Sequence, residues 1–330
     1  MDLPTWIVFL AVVPPTILCV WYVIRADRLS RYESLTLIVA FFYGLTVEAL
    51  ALHTSHEYDY ANWWLMFGSR PDWVPFAICA SWASIMYVVM RSSDAIGLPW
   101  WQRPLFDGAA AMSLDLVLDP VMSTTKLVTA TTLQTVPCMN APGTPVGGLN
   151  LWTWCVDPTA HTPLYMNIPV SNFIGWGIVV MMFSLMVRLG FRYGKPDTRS
   201  TFAQFVMLLV LAALAIGGCA LIGPPIENHF ADGPKWLSYS TLGFVVAIPF
   251  LLVISQKKNL NFRNAFPAWR LAWPAYDYLC WGSLFFILSL DVGEWPGAAF
   301  IMAGAILVSA LTFLLPYLGT ITRGPAAPAP

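Results

Sequence analysis

Three acidic residues stand where an acid is costly. Glu48 lies within the apolar stretch 34–53, and Asp115 and Asp119 lie within the apolar stretch 104–122. An ionisable side chain inside a membrane span is expensive and marks a functional site by default. No Lys or Arg sits at the same depth in any apolar stretch of this chain. Without a cationic partner, burial favours the neutral form of a carboxyl. A neutral carboxylic acid in an apolar site can deliver a proton, and a second carboxyl can position and deprotonate water.

At a rise of 1.5 Å per residue, Asp115 lies roughly 16 Å from the inner end of its stretch, Asp119 roughly 22 Å and Glu48 roughly 21 Å. Glu48 and Asp119 are therefore level, in the outer half of the bilayer. Asp115 and Asp119 are four apart and share one helix face. All three are expected to converge on one pocket, with Asp115 the deepest and driest and so the expected proton donor. Water activation falls to Glu48 or Asp119, nearer the outside. Asp107 and Asp277 lie nearer the cytoplasmic ends and are expected at the interface. Trp152, Trp154 and Trp176 offer aromatic faces whose quadrupoles stabilise a developing cation.

Other chemistry is thinly represented. The spacing His53-x-x-His56, followed by Glu57, suits a metal site, and a wet cluster at a helix end has the same spacing. There is no HExxH, GxGxxG, GxxxxGK[ST] or GxSxG motif. Neither nucleotide binding nor a hydrolytic triad is implied, and no cofactor is expected. No CxxC pair occurs, and Cys19, Cys79, Cys219 and Cys280 fall inside apolar stretches as small packing residues.

The elements that position these residues must be helices in lipid. Of 330 residues, 58% are hydrophobic and 11% charged, with mean hydropathy +0.64. A soluble domain carries about a quarter charged residues. The net charge is −1, and no basic run points to nucleic acid. Apolar windows of spanning length occur at 5–24, 34–53, 73–90, 104–122, 168–189, 201–222, 237–254, 271–290 and 298–318. They predict an all-α, polytopic bundle of about nine spans, within one domain over 1–323. No strand patterning is evident. Pro14-Pro15 is expected to kink the first span. The tail 324–330, rich in Pro and Ala, is expected to be disordered.

Fourteen of the 17 Lys and Arg residues fall on one side of this topology, only Arg70, Lys126 and Lys235 on the other. By the positive-inside rule the amino terminus is outside and the carboxyl terminus cytoplasmic, in the cytoplasmic (inner) membrane. The longest loop, 123–167, is then exported. Cys138 and Cys155 share that loop and an oxidising compartment, and they are expected to form a disulfide contributing about 3 kcal/mol.

The run Leu114-Asp115-Leu116-Val117-Leu118-Asp119-Pro120, then Trp152-Thr153-Trp154, Tyr165, Ile168-Pro169, Asn172-Phe173 and Gly175-Trp176, resembles the CruF-type carotenoid 1,2-hydratases, integral membrane proteins of carotenoid biosynthesis. Glu48, with Tyr58 and Tyr60 beyond it, resembles that family's upstream acid and aromatic segment. The resemblance covers about 48–188. It implies addition of water across the terminal double bond of an acyclic carotenoid end group. Glu48, Asp115, Asp119 and Asn172 would be catalytic, with Asn172 orienting a carboxyl or water. Trp152, Trp154, Tyr165, Phe173 and Trp176 would bind the polyene. A stretch at 123–149 separates Asp119-Pro120 from Trp152, where the family has a shorter link, and it would cover the site mouth. Asn167 stands where the family has Gly, and Thr54-Ser55 where Thr-Gly is usual.

Such hydration protonates a trisubstituted alkene to a tertiary cation that water then captures. A reading from another class has the same apolar, Trp-rich bundle hold a pigment unchanged, as an accessory subunit beside other membrane subunits. The expected partners are an acyclic carotenoid or similar polyene and membrane lipid.

Overall fold

The computed structural model describes residues 5–55, 58–60, 63–69, 72–124, 151–154, 163–166, 168–231, 234–256, 266–283 and 297–323. They form an all-α membrane bundle: α1 (Thr5–Asp27), α2 (Arg31–Ser55), α3 (Phe76–Ile96), α4 (Arg103–Thr124), α5 (Val170–Gly194), α6 (Thr201–Ala231) and α7 (Lys235–Ser255). A 3₁₀ turn (Ala268–Leu271), a short α8 (Ala272–Tyr276) and a π-turn (Asp277–Gly282) follow, then α9 (Gly297–Arg323). Among the described residues α1, α2, α3, α5, α6 and α7 are long and apolar enough to cross a membrane. Helix α1 continues through Pro14 and Pro15. Cys138, Cys155, His56, most of the 123–167 loop and the tail lie outside the described residues.

Helix α4 is absent from the six because of its acids and serines, yet it is the most enclosed helix. Every residue from 106 to 123 is buried. It packs against α3, α5, α7 and α9, so its polar groups meet protein instead of hydrocarbon. In lipid every polar group must find its partner inside the protein, and the central position supplies partners on all sides. Helix α6 is the opposite case, with Phe202 76% and Leu221 79% exposed.

Glycines set the closest crossings. A Cβ at Gly108 of α4 would collide with the carbonyl oxygen of Gly177 on α5. A Cβ at Gly44 of α2 would stand 2.6 Å from the Trp82 Cβ on α3. Gly44 is one turn from Glu48 on the same α2 face, so its missing side chain lets Trp82 reach that acid. Tyrosines bolt the helices together: Tyr32 donates to the Val187 carbonyl at 3.1 Å and Tyr43 to the Val179 carbonyl at 3.0 Å, joining α2 to α5.

One end of the bundle holds an ion network. Arg188 donates to Asp94 and, at 2.9 Å, to Asp107 Oδ2. Arg103 meets Asp94 Oδ1 at 2.8 Å and Arg91 meets Asp94 Oδ2 at 3.1 Å. Ser93 and Ser184 donate to Asp107 at 2.5 and 2.6 Å. Asp107 is therefore fully buried, not interfacial as its place near a span end suggested. The arginine it needs comes from α5, and only the tertiary fold brings it there.

The opposite end carries three antiparallel two-stranded ribbons: β1 (Tyr58–Tyr60) with β4 (Trp152–Trp154), β2 (Met66–Phe67) with β3 (Val74–Pro75), and β5 (Leu164–Tyr165) with β6 (Ile168–Pro169). These are too short for a period-two pattern to show in the sequence.

Replacing Gly108 with Ala should destabilise the bundle by about 1–3 kcal/mol through overpacking. The change Arg188→Met, which removes the cation paired with the buried Asp107 and one of three around Asp94, should cost about 3–5 kcal/mol. Thermal unfolding in detergent checks both, and a wild-type midpoint for Arg188→Met would show that the network contributes nothing.

Candidate functional site

The β1–β4 ribbon closes the end of the bundle opposite the ion network. Its register sets Tyr58 opposite Trp154 and Tyr60 opposite Trp152. Directly paired residues on an antiparallel ribbon share a face, so four aromatic side chains with polar tips point the same way. Trp73 Nε1 donates to the Tyr60 carbonyl at 2.9 Å, and Leu151 N to the Met122 carbonyl at 3.1 Å. These bonds fasten the ribbon to the segment that leads into β3 and to the end of α4.

Beneath the ribbon sit two acids. Glu48 Oε2 accepts from the Tyr58 hydroxyl at 2.6 Å and from Tyr60 at 2.9 Å, and Oε1 accepts from Trp82 Nε1 at 2.7 Å. Asp119 Oδ1 accepts from Trp152 Nε1 at 2.6 Å and Trp154 Nε1 at 3.2 Å, and Oδ2 accepts from Asn172 Nδ2 at 2.6 Å. Each acid thus has three donors, and neither has a salt bridge among the described residues. Burial, with the charge of Glu48 next, pushes the Tyr60 hydroxyl well above its ordinary range, so it remains a donor.

The chemical types of the two donor sets differ. A tyrosine hydroxyl can donate or accept, whereas an indole N–H only donates. The hydroxyls around Glu48 accommodate it with or without its proton. The two indoles on Asp119 Oδ1 match only an unprotonated oxygen.

A cavity of about 30 Å³ lies between the two acids, lined also by Tyr58, Tyr60, Ser81 and Asn172. A water needs about 10–15 Å³ of such space, so one or two waters fit. A second cavity of about 230 Å³ adjoins it and shares Glu48, Tyr58, Trp154, Asn172 and Trp176. Trp82 stacks on Trp176 with ring centroids 3.9 Å apart, which gives these cavities a continuous aromatic wall.

The sequence-derived residues are distributed as follows. Glu48, Asp119, Asn172, Trp152, Trp154 and Trp176 all line the small cavity. Asp115 lines neither cavity. One helical turn places it about 6 Å deeper than Asp119. Its contact with the site is Asn172 Nδ2 at 3.4 Å from Oδ2, and Oδ1 has no hydrogen-bond partner among the described residues. Tyr165 and Phe173 form a buried edge-to-face pair 5.5 Å apart and line neither cavity. His53 is exposed, with Nδ1 at 3.2 Å from Asp72 Oδ2. Among the described residues no group of three metal-ligating side chains gathers.

Trp82 was not singled out from the sequence. Its signal is position: it falls mid-span, away from the interfaces where belt tryptophans sit. Asp277, expected at an interface, is buried in the π-turn that packs on α4, with both carboxyl oxygens unpartnered among the described residues. Sequence depth alone does not reveal that change of winding.

A protein-family model described as "Carotenoid biosynthesis protein" matches residues 7–229. No curated protein and no solved structure shows significant similarity.

The change Trp152→Phe removes the shortest donor to Asp119 and leaves a buried acceptor short of a partner. It should cost about 1–3 kcal/mol of stability, read from unfolding in detergent. An unchanged stability would show that water replaces the indole freely.

Proposed function

The chain belongs to the carotenoid biosynthesis protein family, and from that premise we propose that it hydrates an acyclic carotenoid end group by acid–base catalysis between Glu48 and Asp119. The observation that carries this reading is the contrast in donors: two hydroxyls meet Glu48 Oε2, with the Trp82 indole on Oε1, whereas both oxygens of Asp119 receive only N–H donors, and a water-sized cavity lies between the acids.

Glu48 lines both cavities, so an end group in the larger one meets it first. The Glu48 carboxyl gives its proton to the less substituted alkene carbon. The π pair forms the new C–H bond and leaves a tertiary cation facing Trp82, Trp154 and Trp176. Ring faces stabilise such a cation. Water in the small cavity adds to it through oxygen, and Asp119 takes the proton that water sheds. That proton returns to Glu48 through the shared cavity, so nothing is consumed but alkene and water. Asn172 bridges Asp119 and Asp115 and fixes the base. Depth along the sequence points to Asp115 as the proton donor. Its position behind Asp119, off both cavity walls, supports an indirect role instead.

The same reading includes nine spans in the inner membrane with the amino terminus outside. Arg91, Arg103 and Arg188 gather at the end of the bundle opposite the β1–β4 ribbon, which supports placing the site toward the non-cytoplasmic face.

Expression in a lycopene-producing host, followed by pigment mass analysis, should show a gain of one or two waters. Glu48→Gln and Asp119→Asn should each lower conversion by about 10²–10⁴-fold, and Asp115→Asn by less. Hydration that persists in Glu48→Gln would overturn the mechanism. A stoichiometric, unmodified polyene on the wild-type protein would replace it with the pigment-binding reading.

A further inference from the structure

The larger cavity has a direction. It is bounded by α2 (Val47, Ala51, Thr54), α5 (Gly175, Ile178, Val179) and α6 (Cys219, Gly223). Over most of their length α5 and α6 are zipped together by small residues. A Cβ at Gly194 would stand 2.5 Å from Met207 Sδ, one at Gly190 would collide with Leu211, and one at Gly218 would collide with Met182. Toward the ribbon end the seam opens. A Cβ at Gly175 or at Gly223 would meet nothing within 4 Å. Tyr43 closes the inner end of the gap, its hydroxyl 3.0 Å from the Val179 carbonyl and 3.5 Å from Cys219 Sγ.

The gap is therefore a wedge, shut at Tyr43 and opening between helices. Its outer wall, α6, is the helix with the largest apolar exposure, including Leu214 at 55% and Leu221 at 79%. Pro224 and Pro225 follow Gly223 inside the helix. Neither has an N–H for the carbonyl one turn back, so the backbone is loosened at that point.

We propose that this wedge is a lateral portal through which one end of a long apolar polyene slides from the hydrocarbon layer to Glu48, while the rest of its chain stays in lipid. The inference rests on the hydration reading for the identity of the occupant. Three features select a polyene. Most of the lining is apolar or aromatic, with Thr54 and Ser171 as small polar exceptions, and Glu48 and Asn172 stand where it adjoins the small cavity. The lined face of α5, Ser171 to Val179, is about 12 Å long, short against a hydrocarbon core of about 30 Å. The wedge therefore takes a terminus and leaves the remainder outside. Finally, at Glu48 and Asn172 the wedge adjoins the water-sized cavity, where a terminal double bond would react.

Three of the open glycines provide the test. Gly175 and Gly223 line the wedge from opposite walls. Gly217 on α6 has equally open surroundings but does not line it. Leucine is a better helix former than glycine, so Gly175→Leu, Gly223→Leu and Gly217→Leu should all fold. The full chain would be placed in lipid nanodiscs and titrated with lycopene, binding being read from quenching of tryptophan fluorescence. Gly175→Leu and Gly223→Leu should weaken binding at least about tenfold, with Gly217→Leu within about twofold of wild type. Equal binding by all four proteins would overturn the portal, as would an equal loss in Gly217→Leu. The first of these results is also the one expected if a phospholipid acyl chain fills the wedge. Glu48→Gln separates the two readings. If it binds lycopene normally and still yields hydrated product in the lycopene-producing host, the hydration mechanism fails while the portal stands. If the filling variants bind and convert lycopene normally while Glu48→Gln is inactive, the portal fails and the mechanism stands.

Discussion

A carboxyl group in hydrocarbon must find all its hydrogen-bond partners within the protein, and this fold is organised around that requirement. Glu48 and Asp119 are each served by three donors. Four of those six come from a ribbon outside the spans, one from the middle of α3 and one from the start of α5. The ribbon therefore does more than cap the bundle. Without it both acids would lie open beneath the interface, and the cavity between them would be bulk solvent.

The same demand explains why the least apolar long helix lies in the middle. Helix α4 carries Asp107, Asp115 and Asp119, and each is answered differently. Asp107 pairs with Arg188 and two serines, a charged arrangement suited to rigidity. Asp119 receives neutral N–H donors only. Asp115 receives almost nothing. Along one helix the surroundings pass from full charge compensation to none within a few turns. A graded interior of this kind holds one end of the bundle fixed and leaves unspent proton chemistry at the other.

The proposed split of roles between Glu48 and Asp119 rests on donor chemistry. Both are buried carboxyls at similar depth, and in the sequence they look interchangeable. Hydroxyl neighbours leave a carboxyl free to hold or release a proton, whereas indole neighbours hold it as an acceptor. The aromatic residues thus act in two ways here: their polar edges donate to the two acids, and their faces, Trp82 on Trp176 above all, line the cavities.

The sequence determined the helical class, because long apolar windows in lipid have no other stable solution for a single chain without strand alternation. It also located Glu48, Asp115 and Asp119, since an acid in an apolar window has no cheap structural explanation, and their depth arithmetic follows from the helical rise. Tertiary structure decided what that arithmetic cannot contain. Asp119 faces a cavity and Asp115 does not, because residues one turn apart on a shared face still differ in depth. Asp107 and Asp277 are buried, because helices distant in the chain enclose them. Trp82 reaches Glu48 because Gly44 lets α3 come close, and Tyr58 and Tyr60 reach it because they pair with Trp154 and Trp152 from a segment more than ninety positions later. Spacing along a helix encodes which residues share a face. Which neighbour that face meets depends on packing between segments, and no local pattern records it.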